Sequence, residues 1–497
     1  MGNKHNIETS PLLSDSPGMG WNFDNTYLSL GDEFFSVAPP TKSKNPALVL
    51  LNNELASDLD LSFSGVSSEY LASIFSGNHH LKGSEFISQA YAGHQFGHFS
   101  ILGDGRATLV GEHVTKKNTR FDIQLKGAGK TPYSRQGDGR AGLGPVLREY
   151  IISEAMDSLN ISTSRSLAVT STGQKIYRES EHQGAILTRV SSSHIRVGTF
   201  EYLAAINNFD GLERLLNYTI NRHFPELSSA ENKALSVLGL VIDKQIDLVV
   251  EWMRVGFVHG VMNTDNVSVS GETIDYGPCA FMNSYNPKTV FSSIDLNGRY
   301  SFGNQPTVTY WNMIKFAESL LPIINPDPKK SALAAQKKLD CFSKKFSKKW
   351  GAMMLKKIGI QNNKEGDLGL LKKLLEIMDK EKLDYTNTFT DLYNINNQNL
   401  KNPSLFKWAQ EWLSRVKKEY KNIEHAFELM KKTNPYIIPR NNKVEEVLLS
   451  AINHQDYSPL KKFLIYLKKP YEHKKGLEEY CSVPVGFDNK YKTFCGT

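Results

Sequence analysis

The chain of 497 residues has few of the features that mark secreted, zinc-binding or membrane proteins. Its four cysteines are too few and too scattered for a disulfide framework, and no C-x-x-C pair is present to bind zinc. The sequence has no uninterrupted apolar run of about 18 residues, the length that a membrane-spanning helix needs, and no basic-then-apolar signal pattern near its start. These absences predict a soluble, cytoplasmic protein in a reducing compartment, with no membrane contact.

The chain does have the composition of a globular protein. Hydrophobic residues make up 40% and charged residues 22% of it, which excludes an intrinsically disordered chain. At this length we expect about three domains or one large two-lobed unit.

Positive charge is concentrated in one part of the chain. The formal net charge is +7, and lysine pairs crowd the stretch from Lys329-Lys330, through Lys356-Lys357, to Lys372-Lys373. Such a stretch could bind nucleic acid, but it also carries apolar residues at helical spacing and no known nucleic-acid-binding motif accompanies it. We therefore interpret it as the solvated face of a set of helices and expect no nucleic-acid partner.

Glycine content and hydrophobic periodicity divide the chain into four segments. Residues 1–84 form an aromatic, turn-rich lead-in, and residues 85–200 form a glycine-rich segment with short strand-like runs. Residues 201–320 are helical and then carry polar loops, and residues 321–497 form a lysine-rich helical extension. The pattern predicts an α+β protein with a β-containing first lobe and a mostly helical second lobe.

A glycine-rich turn lies within HFSILGDGRATLVGEH. Gly103, Gly105 and Arg106 separate two apolar runs, which predicts a β-hairpin. Main-chain N–H groups in a glycine turn can approach phosphate oxygens, and a guanidinium adds a charge-assisted contact. By itself, however, the pattern more commonly means a plain hairpin.

A lysine and a glutamate have the spacing found in kinases. Lys126 ends the predicted strand FDIQLK, and Glu149 falls in a helix that should begin near Gly144-Pro145. In kinases this ion pair orients the ammonium group toward nucleotide phosphates. The neighbouring GAGKT is not a Walker A loop, because Gln124 stands where the first glycine is required.

The sequence FVHGVMNTDNVSVSGETIDYGP matches the spacing of the kinase catalytic loop and of the D-F-G motif that follows it. His259, Asn266 and Asp275 fall at the matching offsets, with a predicted short hairpin, VSVSGETI, between them. Asparagine and aspartate oxygens suit Mg²⁺ that bridges nucleotide phosphates. The position of the kinase catalytic aspartate is Val261, which cannot accept a proton, and the nearest carboxylate is Asp265.

Two histidines in YAGHQFGHF, His94 and His98, would share one face if the segment were helical and could then bind a metal. No glutamate follows the first histidine, and glycines flank both. We therefore interpret them as structural residues that order a loop.

The motifs LGDGR, QLKGAGKTPYSRQGDGRAGLGPVLREY, LTRVSSSHIRVGTFEY, HGVMNTDN and IDYGP together resemble the signature blocks of the selenoprotein O family. The resemblance implies a protein-kinase-like two-lobed fold with a helical C-terminal extension and the activity of a protein adenylyltransferase. In that family ATP binds in reverse, with the β- and γ-phosphates buried and the α-phosphate facing the acceptor. AMP would then be transferred to Ser, Thr or Tyr hydroxyls of proteins, and pyrophosphate would be released.

The resemblance also implies roles for individual residues. Asp265 would be the catalytic proton acceptor, Glu149 would support Lys126, and Asn266 and Asp275 would bind Mg²⁺, with Mn²⁺ as an alternative. The implied nucleotide-binding residues are Gly103, Gly105, Arg106, Lys126, Asp138, Gly139, Arg189, Arg196 and Asp275. Independently of the family, three arginines and a lysine supply more positive charge than the single lysine of a kinase, which suits buried phosphates. Without the resemblance, Arg189 and Arg196 are equally well explained as structural residues that only form salt bridges.

The resemblance further suggests redox control. Cys495 lies near the position where family members carry a redox-active cysteine or selenocysteine, and Cys279 is a candidate partner for it. Acceptors would be proteins with exposed hydroxyl side chains, and we expect the protein itself to be a monomer.

Two other functions fit the same residues. One is a phosphotransferase in which Asp265 serves an ATP bound in the conventional direction. The other is a nucleotide-binding scaffold without catalytic activity.

Overall fold

A computed structural model of the protein describes residues 18–393 and 402–494. The protein has a mixed α/β architecture in which the strands of the described ranges lie before residue 282 and the C-terminal region is helical. Among these residues no helix is both long enough and apolar enough to cross a bilayer.

Most of the strands belong to one sheet. The strands are β1 (Phe35–Val37), β2 (Ala47–Leu51), β3 (Ile87–Gln89), β4 (Ala92–Gln95), β5 (His98–Ile101), β6 (Ala107–Val114), β7 (Arg120–Lys126), β8 (Ala141–Gly142), β9 (Arg165–Tyr177), β10 (Glu181–Ser191), β11 (Phe257–Val258) and β12 (Ala280–Phe281). The main sheet has the order β1-β3-β6-β7-β10-β9-β2, and β8 pairs with β10. Strands β1 and β2 belong to the lead-in segment but pair in this sheet.

The helices account for most of the remaining described residues. They are α1 (Asn53–Asp58), α2 (Ser68–Phe75), α3 (Leu143–Ser158), α4 (Val197–Ala205), α5 (Phe209–His223), α6 (Lys233–Val255), α7 (Gln305–Ile324), α8 (Pro328–Leu339), α9 (Phe342–Lys357), α10 (Asp367–Glu381), α11 (Tyr385–Asp391), α12 (Pro403–Glu419), α13 (Glu424–Thr433), α14 (Asn441–His454), α15 (Ser458–Leu467), α16 (Glu478–Cys481) and α17 (Phe487–Lys490).

The main sheet has helices packed on both faces. Neighbouring side chains of one strand point to opposite sides and so contact both layers. In β10, Leu187 packs in one core cluster with Leu147 and Ile151 of α3. Its neighbour Ile186 packs in a second cluster with Phe75 of α2. Both faces are buried, yet β7 alternates, with Ile123 and Leu125 on one face and Asp122, Gln124 and Lys126 on the other.

The pairing of β11 with β12 positions the polar loops. Helix α6 begins where the Asn232 side chain accepts a hydrogen bond from Leu235 N–H, and it ends at Gly256, whose φ of +75° favours glycine. Phe257 then pairs with Phe281. Residues 259–279 therefore form one long connection between two paired strands, and this connection includes the 3-10 turn Thr264–Asn266.

Several local predictions are confirmed. Strand β7 covers the predicted FDIQLK, and α3 begins at Leu143, beside the predicted start. The segment after GAGKT does not enter a helix until Leu143, so it does not have the strand–loop–helix form of a Walker A loop.

Both predicted hairpins are wrong. Strand β5 pairs with β4, whereas β6 pairs with β3 and β7, so the glycine turn links a small hairpin to the main sheet. In VSVSGETI, Ser268 bridges to Arg196 and Thr273 to Thr163 rather than to each other. Strands β5 and β6 each pair with their other neighbour in the chain, β4 and β7, whereas Ser268 and Thr273 bridge to distant residues. A local pattern does not say which of these partners a segment takes.

The lysine-rich helices are largely solvated, as predicted. Lys345, for example, pairs with Asp243 of α6 at 2.7 Å. Lys357 is an exception to the interpretation, because only 2% of it is exposed. Its Nζ donates to the Arg254 carbonyl at 2.8 Å, and burial lowers its pKa well below the ordinary value.

Candidate active site

One large cavity of about 1010 Å³ lies at the ends of β7 and β10, beside the start of α3 and the loop after β11. Helix α14 and residues 491–494 close another side of it. Ten of the residues singled out from the sequence line this cavity, namely Gly103, Gly105, Arg106, Lys126, Glu149, Arg189, Arg196, Asp265, Asn266 and Asp275.

Asp275 is the centre of charge in the cavity. Its Oδ1 accepts hydrogen bonds from Lys126 Nζ at 3.0 Å and from Arg189 Nη1 at 2.7 Å, and its Oδ2 accepts one from Arg196 Nη1 at 2.9 Å. Burial alone would raise the pKa of this carboxyl, but the three cations hold it well below its usual range. Asp275 is therefore ionised at neutral pH.

The register of β7 and β10 positions two of these cations. Gln124 lies opposite Arg189 across the pair, and Lys126 lies two residues further along β7 on the same face. Arg189 Nε donates to Gln124 Oε1 at 3.0 Å, and Lys126 Nζ donates to Glu149 Oε2 at 2.6 Å. These contacts orient both cations into the cavity.

Arg196 links the two loops of the site. Its Nη1, besides contacting Asp275, donates to the Asp265 carbonyl at 2.9 Å. Its guanidinium lies over the Tyr91 ring at 4.5 Å and approaches Asp104 Oδ1 at 3.4 Å. Only 2% of Arg196 is exposed, so its charge acts at low local dielectric.

Asp265 is the carboxylate suited to accept a proton. It is 7% exposed, and its Oδ1 has no hydrogen-bond partner within the described ranges. Burial raises its pKa to about 6, although Arg196 opposes the shift. Gly93 of β4 packs so closely that an added Cβ would overlap the carboxylate. A general base works best when its pKa lies near the working pH.

Strand β4 holds the turn that carries Asp265. His94 N–H donates to Thr264 Oγ1 at 2.7 Å, and the His94 ring contacts Glu201 Oε1 at 2.6 Å. His94 and His98 lie on different strands of a hairpin. Within the described residues no group of three His, Cys, Asp or Glu side chains could hold a metal. The two histidines therefore do not share a helical face, and His94 holds the hairpin to the Thr264 turn.

Asn266 and Asp275 have oxygens that fit a divalent cation bound together with phosphate. Asn266 Nδ2 donates to the Val261 carbonyl at 3.0 Å, which leaves its amide oxygen available. A carboxylate has about four lone-pair sites, and the contacts to Asp275 use two on Oδ1 and one on Oδ2. One site remains for a hard cation such as Mg²⁺.

The glycine turn borders the cavity and leaves no room for a side chain at Gly103 or Gly105. At Gly103, with φ of +149°, a Cβ would overlap the Tyr133 ring. Thr131 Oγ1 donates to the Asp104 carbonyl at 2.7 Å and braces the turn from behind. Arg106 makes no ion pair with any carboxylate in the described ranges, so its charge is available to a ligand.

Two of the implied nucleotide-binding residues lie elsewhere. Asp138 and Gly139 do not line the cavity, and Asp138 pairs with Arg178 Nη2 at 2.9 Å on an exposed turn. Cys495 lies outside the described residues. Its suggested partner Cys279 is a buried free thiol, and burial raises its pKa to about 12.

Several lining residues were not predicted from the sequence. Asp104 lies between the two glycines of the GDGR motif, and its carboxylate accepts a hydrogen bond from Gln124 Nε2 at 3.2 Å. Arg148 of α3 donates to Glu445 Oε1 at 3.1 Å. Glu445 belongs to α14 and lies 297 residues after Arg148 in the sequence. No local sequence pattern predicts a contact over such a separation.

Residues 17–468 match the family described as Protein adenylyltransferase SelO. The chain is 51% identical over 481 residues to the Protein nucleotidyltransferase YdiU of Bacillus cereus strain ATCC 14579, which covers 96% of this chain and 99% of the relative. The proteins of the same name from Bacillus thuringiensis strain Al Hakam and Bacillus mycoides strain KBAB4 are 50% and 51% identical over the same shares. The chain therefore belongs to the protein adenylyltransferase SelO family, and its activity is nucleotidyl transfer to proteins.

Proposed function

We propose that the chain transfers AMP from ATP to serine, threonine or tyrosine hydroxyls of acceptor proteins. The observation that carries this proposal is the cluster of Lys126, Arg189 and Arg196 around Asp275, in which both arginines are almost completely buried. Buried cations at this density suit the most highly charged part of ATP. The β- and γ-phosphates then occupy the deep end of the cavity.

With the triphosphate inserted first, the α-phosphorus lies toward the residues that can act on an incoming hydroxyl. Arg196 supports this arrangement, because one of its nitrogens contacts both Asp275 and the backbone of Asp265. The Asp265 carboxylate, which lines the cavity, is the group that would meet the acceptor.

The reaction is an in-line displacement at the α-phosphorus. The acceptor oxygen forms a bond to phosphorus while the bond to the oxygen that bridges the α- and β-phosphates breaks. Asp265 takes the hydroxyl proton, and pyrophosphate leaves with the electron pair. Lys126, Arg189 and Arg196 stabilise the negative charge that develops on the leaving group.

Asn266 and Asp275 would hold Mg²⁺, or alternatively Mn²⁺. The bound ion supplies Lewis-acid neutralisation of phosphate charge. Asp275 keeps its charge for this role because the three cations lower its pKa.

The fold that we propose is that of a protein kinase with two lobes. The main sheet with α3 would be the first lobe, up to about residue 200, and the helices from α4 onward would be the second lobe and its extension. The support is the Lys126–Glu149 pair at 2.6 Å between a strand and the next helix, together with the two polar loops between β11 and β12.

ATP labelled at different phosphates tests the reaction. We expect label on protein from α-labelled ATP and none from γ-labelled ATP, and a mass increase equal to AMP on any self-modified chain. Label from the γ-position alone would instead establish a phosphotransferase. Binding of ATP with no label transferred from either position would establish an inactive scaffold.

Gly93→Ala is expected to reduce AMP transfer by about 10²-fold, because the added methyl group would overlap the Asp265 carboxylate. Gly93 has no positive φ, so the effect is steric rather than conformational. The steady-state rate with α-labelled ATP measures it. Gly369→Ala, where nothing lies within 4 Å of the added carbon, is the matched control and should keep full activity. Equal rates for the two variants would contradict the position assigned to Asp265.

A further inference from the structure

The β4–β5 hairpin has two edges that differ in what they contact. Leu102 N–H donates to the Tyr91 carbonyl at 2.8 Å, directly beside the register pair Ala92↔Ile101. Bonded and non-bonded pairs alternate in an antiparallel ladder. Ala92 and His94 on β4, and Phe99 and Ile101 on β5, therefore direct their N–H and C=O groups outward.

The outer edge of β4 is occupied. There His94 N–H donates to Oγ1 of Thr264 at 2.7 Å. Thr264 directly precedes Asp265 in the chain. Gly93 packs against the Asp265 carboxylate. This edge fixes the hairpin to the turn that carries the proposed base.

The outer edge of β5 has no strand partner among the described residues. Phe99 and Ile101 are 44% and 56% exposed on it. Native proteins normally cover or charge such an apolar edge, because its free N–H and C=O groups can pair with another chain. This edge lies one strand away from Asp265, and Leu102, the next residue, lines the cavity.

Two arginines lie at the ends of this edge. Arg135 Nη2 donates to the Ile101 carbonyl at 3.1 Å at one end. At the other end the Arg299 guanidinium lies 3.8 Å from the Cβ position of Gly97 and 4.7 Å from the centre of the Trp311 ring. Neither guanidinium forms an ion pair within the described ranges, and Arg299 Nε is buried without a hydrogen-bond partner. Both positive charges are therefore uncompensated.

We infer that acceptor proteins dock by adding an extended, acidic segment as a third strand to the free edge of β5. The inference rests on the proposed function, which requires a protein chain to reach the cavity. The outward groups of Phe99 and the Ile101 N–H would supply main-chain hydrogen bonds. Acidic side chains would meet Arg135 and Arg299, and the hydroxyl to be modified would follow past the Arg135 end, where Arg135 lines the cavity.

The first test compares peptides that each contain a single serine. One peptide carries Glu-Val-Gln-Val-Glu before the serine and a second carries it after, because the strand direction is open. Matched peptides have lysine in place of glutamate. With α-labelled ATP we expect the better glutamate peptide to exceed its lysine counterpart in kcat/KM by about fivefold for each ion pair.

The second test addresses strand pairing. N-methyl groups placed on alternate residues block one edge of an extended peptide and leave the other free. One of the two methylation patterns should lower kcat/KM about tenfold or more, and the other should have little effect.

A charge reversal tests the arginine. Arg135→Glu should invert the preference, so that the lysine peptide becomes the better acceptor. Lys117→Glu, an equal change of charge on an exposed lysine of the β6–β7 turn, should leave the preference unchanged.

The outcomes separate this inference from the proposed function. Equal modification of all peptides, or equal effects of both methylation patterns, would overturn strand docking while AMP transfer stands. Transfer of label from α-labelled ATP to proteins of a bacterial lysate, but to none of the peptides, would also overturn strand docking. Self-association of the protein, blocked by Arg135→Glu, would assign the edge to a second copy of the chain instead. Absence of α-label on any protein would refute the proposed function itself.

Discussion

Asp275→Ala is expected to lower AMP transfer on the order of 10³-fold. The carboxylate is the common partner of Lys126, Arg189 and Arg196, so without it the three cations repel one another and lose their orientation. The variant also loses a proposed metal ligand. Removing one partner of a buried ion pair costs about 3–5 kcal/mol, so the free energy of unfolding in urea should fall as well.

The control for Asp275 is a buried aspartate outside the cavity. Asp367 is 2% exposed and pairs with Arg415 Nε at 2.6 Å. Asp367→Asn should lose stability but keep its rate of transfer with α-labelled ATP, when both are measured below the unfolding transition. A rate for Asp275→Ala near that of the parent protein would contradict the role assigned to this carboxylate.

Asp265→Asn is expected to lower AMP transfer by about 10²–10⁴-fold, the usual contribution of a general base. A base must be unprotonated to act. Because burial raises the pKa of Asp265 to about 6, log(kcat/KM) of the parent protein should rise with unit slope up to about pH 6 and then level. The asparagine variant should lack this limb. A limb of unchanged position in the variant would assign the proton transfer to another group.

The same substitution should raise stability at high pH. The folded-state pKa of Asp265 is raised from 3.8 to about 6, so the folded protein favours the protonated carboxyl. The contribution of the protonated Asp265 to the free energy of unfolding is fully present below pH 3.8 and is lost as the pH rises through about 6. This contribution is at most about 3 kcal/mol. Urea unfolding should therefore show Asp265→Asn to be more stable than the parent at pH 8 and similar to it at pH 4.

The sequence predicted those features of the fold and site that depend only on a short segment of the chain. Strand β7, the start of α3 and the offset between Asn266 and Asp275 follow from periodicity and spacing. The two predicted hairpins did not follow, because β5 and β6 pair with β4 and β7 instead of each other, and Ser268 and Thr273 bridge to Arg196 and Thr163. Pairing depends on burial against distant residues, and a strand pattern does not name its partner.

By itself, the sequence determined which residue types are available for the chemistry, the family to which the chain belongs, and the absence of an aspartate at Val261. Only the tertiary structure decided that Asp265 is buried and has a pKa of about 6, that three cations converge on Asp275, and that α14 lines the same cavity. The physical reason is that desolvation and Coulomb interactions act through distances of a few ångströms in space, and residues such as Lys126 and Asp275 are brought that close only by folding.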